Sequence, residues 1–386
     1  MDKLHPVNTP RKIISMSKGT NLDTLRQEID AIDAEIHQLI NRRAKCAERV
    51  AETKLKQYAA ENGSADLSKV TFYRPEREAQ VLRSVIERNE GPLDGKVVAH
   101  IFREIMSACL ALEKPMEVAY LGPEGTFTQA ATLKHFGQSV VSVPQASIAQ
   151  VFSQVESGQC NYGVVPVENS TEGMVNLTLD SLMDSSLKIC GELDLRIQLC
   201  LLANSGANAG TIKTICAHQQ ALAQSRNWLD KNWPGVERVA VASNAEAARM
   251  AKQDSTIAAV AGAIAAEQYS LSKIAENIED YKNNTTRFLV IGKEEVELSG
   301  DDKTSIVVEA NNKPGALFKL LKPFHAAGVS LTRIDTRPSR TDVWAYVFFI
   351  EFEGHKKDAA IKLILDEVGA HSKVLKVLGS YPRAVL

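Results

Sequence analysis

The chain runs to 386 residues, 44% of them hydrophobic and 24% charged, with a formal net charge of −2. That is longer than one hydrophobic core usually supports, so two or three domains of a globular protein are expected. Near-neutral charge gives no footing for nucleic acid or a membrane surface, and no apolar run approaches the ~20 residues of a transmembrane helix. Six cysteines stand at 46, 109, 160, 190, 200 and 216 without a CxxC pair. That pattern points to free thiols in a reducing cytoplasm and away from a metal site; no cofactor is expected.

The first 20 residues are polar and carry Lys3, Arg11, Lys12 and Lys18, with no apolar core behind them. They read as a polar extension, not a secretory signal. From 21 to 114 the pattern is helical, broken by a polar loop at Ala59 to Lys69. The first helix carries a heptad seam of Leu22, Leu25, Ile29, Ile32, Ile36 and Leu39, continuing through Arg43, Cys46 and Val50. Arg43 occupies a seam position that suits an aliphatic residue. It either sets register or marks a place where the seam opens on an anion, because a buried guanidinium needs a partner. Lys54 lies eleven residues on, about 16 Å along nearly the same face.

From 116 to 293 short apolar runs alternate with helical patterns, which indicates an α/β domain. Val118 to Leu121, Val140 to Val143, Tyr162 to Val167, Ile197 to Leu202, Val239 to Val241, Thr256 to Val260 and Phe288 to Ile291 read as strands. The run Tyr162 to Val167 stops at Glu168, Asn169, Ser170 and Thr171. Ligands of open α/β sheets bind just past such strand ends, and a following helix adds N–H donors for an anion. An ordinary turn with a capping Ser or Thr is the alternative. Gly122 to Thr128 offers either a carboxylate nest or a Gly/Pro turn capped by Thr126. The charged stretch Lys293 to Asp302 reads as a linker. Residues 303–382 then follow the order β-α-β-β-α-β of a ferredoxin-like unit.

Gly163 to Gly173, with Asn284-Thr-Thr286-Arg287-Phe288 further on, resembles the paired signatures of prephenate dehydratases. The resemblance implies a bilobal, periplasmic-binding-protein-like fold. It makes Thr286 the donor that helps a hydroxyl leave, by proton transfer or by hydrogen bonding alone. Arg287 then binds either a carboxylate or a neighbouring acid. Thr126, Glu168, Asn169, Ser170, Thr171, His218, Gln220, Arg287 and Phe288 are the implied dehydratase substrate-binding candidates. His218-Gln219-Gln220 stands where relatives commonly show His-Pro-Gln.

The helical region resembles the all-α chorismate mutases. The resemblance assigns Arg26, Arg43, Lys54, Arg74, Glu78, Cys109 and Glu113 to the substrate, with Glu78 taking its hydroxyl. Lys54 and Glu113 would serve its ether oxygen, Glu113 with a pKa raised by burial. Cys109 and Glu113 stand where relatives often have Ser and Gln, and Arg74 where some have an acid. If Leu22 to Lys54 is one helix, Arg26 lies about 42 Å from Lys54, so one site must draw on two chains.

The last region resembles ACT domains, with Gly315-Ala-Leu-Phe318 and Asp335-Thr-Arg-Pro338 as its two segments. Asn312, Pro314, Gly315, Ala316, Leu317, Asp335, Thr336, Arg337 and Pro338 are the implied phenylalanine site. Removal of residues after about Asp302 is expected to leave an active dehydratase blind to phenylalanine. Together the three resemblances follow the order of the bifunctional chorismate mutase–prephenate dehydratases. Chorismate and prephenate are then the substrates, L-phenylalanine the inhibitor, and a homodimer or higher homo-oligomer the assembly. A bilobal solute sensor is the competing class, but a sensor needs neither the Thr286 donor nor the helical cations.

Overall fold

A computed structural model of the chain describes residues 21–63, 70–207, 210–310, 313–339 and 346–386. Helix α1 (Leu22–Asn62) is a single unbroken rod of 41 residues, opened by Asn21, whose side chain accepts from the Asp23 N–H at 3.3 Å. Helix α2 (Pro75–Glu87) starts on a proline at its first turn, where no N–H is needed. Helix α3 (Gly95–Glu113) is capped by Asp94. The small core of α2 and α3 holds Leu82, Val85 and Ala99, and Val385 and Leu386 from the end of the chain pack onto it. Helix α1 buries none of its residues.

The α/β region forms two lobes. The first holds β1 (Glu117–Leu121), α4 (Phe127–Phe136), β2 (Val141–Gln145), α5 (Ile148–Ser157), β3 (Tyr162–Asn169), β4 (Gly173–Met174), α6 (Asn176–Asp184) and β5 (Lys188–Arg196). The second holds β6 (Cys200–Ala203), β7 (Thr214–His218), α7 (Gln219–Gln224), α8 (Arg226–Asn232), β8 (Glu237–Val241), α9 (Asn244–Gln253), β9 (Ile257–Ala261), α10 (Ala263–Tyr269) and β10 (Ser272–Ala275), its sheet ordered β10-β6-β9-β7-β8. Strand β11 (Thr285–Gly292) then returns to the first lobe, giving the order β2-β1-β3-β11-β5 with β4 hooked onto β3. The two crossings run side by side, with Ile197 N–H donating to the Asn284 carbonyl at 2.8 Å and Leu199 N–H to Glu279 Oε2 at 2.9 Å.

The C-terminal unit is β12 (Asp302–Ala310), α11 (Ala316–Ala326), β13 (Leu331–Pro338), β14 (Tyr346–Glu353), α12 (Ala359–His371) and β15 (Ser372–Pro382). Its antiparallel sheet runs β13-β14-β12-β15, with both helices on one face. The expected β-α-β-β-α-β order is the one observed.

Several local expectations change. Strand β3 runs on through Glu168 and Asn169, because both pair with β11 and with β4. Strands β4, β5, β7 and β10 were not expected, and the run from Ile197 begins its strand only at Cys200. The stretch Lys293 to Asp302 is no loose linker. It buries Val296 and Ser299, pairs Glu297 with Lys357 at 2.6 Å, and receives Arg83 of α2 on the Ser299 and Asp301 carbonyls at 3.1 and 2.8 Å. Nor does the C-terminal unit stand apart. Val307, Val347, Phe349, Leu378 and Tyr381 from its open sheet face share one core with Val151, Ile189 and Leu289 of the first lobe. A Cβ on Gly379 would sit 2.2 Å from the Ile189 carbonyl oxygen, so β15 lies directly on β5.

Candidate active sites

Alternation along two paired strands organises the site of the α/β region. Asn169 lies opposite Thr286 and Glu168 opposite Arg287 in the β3/β11 register, and successive strand residues point to opposite faces. The Asn169/Thr286 pair meets on one face, where Asn169 Nδ2 donates to Thr286 Oγ1 at 2.8 Å and to Asn284 Oδ1 at 3.1 Å. The Asn169 amide is not free to flip, because its Oδ1 accepts the Thr171 backbone N–H at 3.0 Å, a group that can only donate. A lone pair of Thr286 is therefore committed to Asn169, and its own O–H remains available to a ligand. Ser170 Oγ accepts the Thr285 N–H at 3.0 Å and faces Asn284 Oδ1 at 3.4 Å, pinning the turn to β11. Thr286 is 8% exposed and Asn284 2%, and the Asn284 Nδ2 is buried with no partner.

The other predicted residues divide. Glu168 and Arg287 leave the site for the opposite face. Glu168 pairs with Arg333 of β13, and Arg287 joins Glu192 and Glu351. Glu168 was expected to bind substrate, and Arg287 either a carboxylate or a neighbouring acid; strand alternation turns both toward the C-terminal unit, where Arg287 meets neighbouring acids. Phe288 is 1% exposed and packs in the first-lobe core, so it is no substrate contact either. Ser170 and Thr171 do not open a helix: the β3–β4 turn intervenes, and α6 begins at Asn176, after Val175, with no side-chain cap. Thr126 caps α4, accepting the Gln129 N–H at 3.4 Å and donating to the Leu121 carbonyl at 3.2 Å. His218 caps α7, accepting the Gln220 N–H on Nδ1 at 3.4 Å. Sequence reading missed Gln224 of α7, whose Nε2 reaches from the second lobe to Thr171 Oγ1 at 3.3 Å.

In the helical region Lys54 Nζ donates to the Phe72 carbonyl at 3.0 Å and lies 5.6 Å from the Phe72 ring centre. Burial lowers its pKa, while the nearby Glu113 charge pulls the other way. Burial raises the pKa of Glu113, against the charges of Lys54 and Arg43. Those three groups thus act on one another, with buried Cys109 one turn before Glu113 on α3. Glu78 is not with them. It pairs with Arg103 at 3.1 Å, and Arg103 in turn donates to the Lys134 carbonyl at 3.0 Å of the first lobe. The α2 carboxylate near Lys54 is Glu76, 3.9 Å from Arg74. The reason is helical phase, since two residues turn a side chain through about 200°. Arg26 is exposed at the far end of α1 and pairs with Asp23 at 3.4 Å.

At one end of the C-terminal sheet, Gly315 takes φ +76° at the start of α11, the left-handed region that glycine enters without a Cβ penalty. Pro314 and Ala316 flank it, and Leu317 and Phe318 beside them are 40% and 69% exposed. The end of β13 reaches the same place, with Ser339 Oγ donating to Glu309 at 3.0 Å. Asn312 lies outside the described residues. Thr336 and Pro338 face outward, while Arg337 points to the first lobe and grips both carboxylate oxygens of Asp180 at 2.9 Å. Arg337 is thus engaged by Asp180, not open to an amino acid. Asp335 shares that face, its pKa raised by burial against the Arg333 charge. Among the described residues no His/Cys/Asp/Glu group could hold a metal ion, and no helix is long and apolar enough to cross a membrane.

Three family models match in chain order: chorismate mutase type II over residues 25–114, prephenate dehydratase over 118–296, and the ACT domain over 304–378. A bifunctional chorismate mutase/prephenate dehydratase of Stutzerimonas stutzeri is 55% identical over 371 residues, covering 96% of this chain and all of the relative. The chain belongs to the bifunctional chorismate mutase/prephenate dehydratases. An Aquifex aeolicus enzyme of the same description is 44% identical over 95% of the chain and 99% of its own length. A prephenate dehydratase from Arthrobacter aurescens in complex with L-Phe superposes with TM-score 0.65 at 35% identity, covering 70% of this chain and 90% of that one.

For a chorismate mutase/prephenate dehydratase, the geometry separates two sets of groups. Asn169, Ser170, Thr171, Asn284, Thr286 and Gln224 gather where the lobes meet. Arg43, Lys54, Glu76 and Glu113 gather at the foot of α1.

Proposed function

We propose that the helical module rearranges chorismate to prephenate, that the two-lobed module converts prephenate to phenylpyruvate, and that L-phenylalanine inhibits from the ACT domain. Full-length identity with enzymes of that name is the observation that carries the reading.

The first reaction is concerted and needs no nucleophile. Its demand is to hold a compact diaxial conformer and to stabilise charge growing on the ether oxygen. Arg43, Lys54 and neutral Glu113 supply the donors, and Glu76 takes the place first given to Glu78. Arg26 comes from a second chain. The exposed stripe Leu22, Leu25, Ile29, Ile32, Ile36 and Leu39 is the surface on which that chain pairs, which makes the enzyme a homodimer or a higher homo-oligomer.

In the second reaction the bond to the ring carboxylate breaks and releases carbon dioxide. Its electron pair enters the ring, the ring double bond shifts toward the hydroxyl-bearing carbon, and the hydroxyl leaves with the C–O bond's own pair. Thr286 donates to the departing oxygen, and the Asn169 N–H steadies the charge that reaches Oγ1. Such donors are worth ~10²–10⁴ in rate. Inhibition fits the Gly315 loop and the end of β13 as the amino-acid site, since both lie at one end of the sheet. A biosynthetic role on these substrates fits the cytoplasm.

Thr286→Ala tests the assignment. Fed chorismate, the variant should accumulate prephenate and form phenylpyruvate at least ~100-fold more slowly. A variant keeping more than about a tenth of the rate removes Thr286 from the donor role.

A further inference from the structure

Arg333 belongs to β13 of the ACT domain, yet both of its hydrogen-bonding arms end in the dehydratase. One donates to Glu168, and the other contacts Met174 Sδ at 3.1 Å. Glu168 and Met174 are cross-strand partners in the β3–β4 hairpin, and Asn169 pairs with Gly173 next to them. One guanidinium therefore clamps both arms of the turn that carries Asn169, Ser170 and Thr171. The neighbouring strand is held from the same side. Arg287, one residue after Thr286, meets Glu192 of β5 and Glu351 of β14, and Lys303 of β12 bridges those acids at 2.9 and 3.3 Å. Tyr381 donates to Glu351 at 3.1 Å, and Thr332 to its other oxygen at 2.8 Å.

We propose that Arg333 is a positioning residue for the dehydratase reaction: by clamping Glu168 it fixes Asn169, and through Asn169 the Thr286 hydroxyl. Arg333 touches no substrate. It acts because Glu168 and Asn169 are adjacent on one strand, so the pair on the ACT side sets the pair on the cleft side. Preorganised groups lose rate when misplaced by about 1 Å, by up to ~10²-fold. The ACT domain is then part of the catalytic scaffold and not only its sensor. The sensing segment begins two residues along the same strand, at Asp335, so an amino acid bound there has a direct route to the clamp. This rests on the reading of Asn169 and Thr286 given above, which Thr286→Ala tests separately.

The experiment is a charge exchange in the full-length enzyme, with prephenate as substrate. Arg333→Glu and Glu168→Arg should each lower kcat by at least ~10-fold with KM changed less than ~3-fold, the pattern of lost transition-state positioning. The double exchange restores the pair with opposite polarity and should bring kcat back to within ~3-fold of the parent. A thermal midpoint and far-ultraviolet circular dichroism spectrum like the parent's report that each variant is folded. If Arg333→Glu proves unfolded, Arg333→Gln keeps the stem without the charge and should show the same loss of kcat. An unchanged kcat in a folded Arg333 variant, a loss confined to KM, or a folded double exchange no better than the singles overturns the proposal. Should Thr286→Ala remain active, the catalytic reading itself fails, whatever the exchange shows.

Discussion

Helix α1 and strand β3 are both rich in aliphatic side chains, and their fates are opposite. Leu22 is 62% exposed, Ile29 56% and Leu39 53%, while Val164 and Val165 of β3 are fully buried. The strand finds its partners within the chain: β1 and β11 beside it, α4 and α5 above and below. The helix does not. A periodic apolar face thus specifies that something will cover it, but not which chain supplies the cover. On the proposed pairing of α1 with a second chain the mutase is half of a structure, while the dehydratase packs onto the C-terminal unit within one chain.

Subunit mixing breaks that contrast most directly. Arg26→Ala and Lys54→Ala should each lose mutase activity by ~100-fold or more, since each removes a charged donor from the site. Co-refolding them should restore about a quarter of parental mutase activity, because half the dimers are mixed and each mixed dimer repairs one of two sites. Dehydratase activity should stay level throughout. A mixture as inactive as its parents, with mixed dimers shown to form, would return the whole mutase site to one chain.

Truncation tests the other half. Ending the chain after Asp302 strips Val307, Phe349, Leu378 and Tyr381 from the core they share with Ile189 and Leu289. We expect the thermal midpoint of the remainder to fall by roughly 10 °C or more, given ~1.5–3 kcal/mol for each large buried side chain. The earlier expectation of an active, phenylalanine-blind fragment holds only if that midpoint and kcat both survive.

The smallest effect concerns Glu113. Burial raises its pKa, so the neutral, donating form persists to higher pH than an exposed carboxyl would allow and is lost as pH rises through that value. Mutase activity should fall with it, and Glu113→Gln should remove this decline, leaving only the later one from Lys54, whose own pKa burial lowers. An unchanged profile in the Gln variant would sink the role.

The three modules and their order were legible because each has its own period: heptads, short apolar runs, then β-α-β-β-α-β. Thr286 and Asn169 were legible because their motifs are local. Glu168 was misread for a physical reason, while of the two readings of Arg287 the neighbouring acid is the one observed. A polar residue at a strand end looks the same whether it faces a cleft or a neighbouring domain, and only the register with the opposite strand decides. Glu78 was misread by phase, although Pro75 at the first turn of α2 could have fixed it. Strand β5 carried a usable signal in the alternation of Glu192, Leu193, Asp194, Leu195 and Arg196. Gln224 and Arg333 carried none, since each meets its partner from a separate part of the fold.

Strand β3 has one last implication, in its length. Its Tyr162 end packs edge-on against Tyr73, 5.3 Å between ring centres, next to the segment that Lys54 grips, and its Asn169 end holds Thr286. Seven residue steps separate the two, about 23 Å at ~3.3 Å per residue, with the packed first-lobe core between them. On the proposed sites, prephenate made at one end should be released as a free solute before it is bound again. Its residence in the medium then depends on how dilute the enzyme is, and the delay before phenylpyruvate appears should lengthen in proportion as the enzyme is diluted.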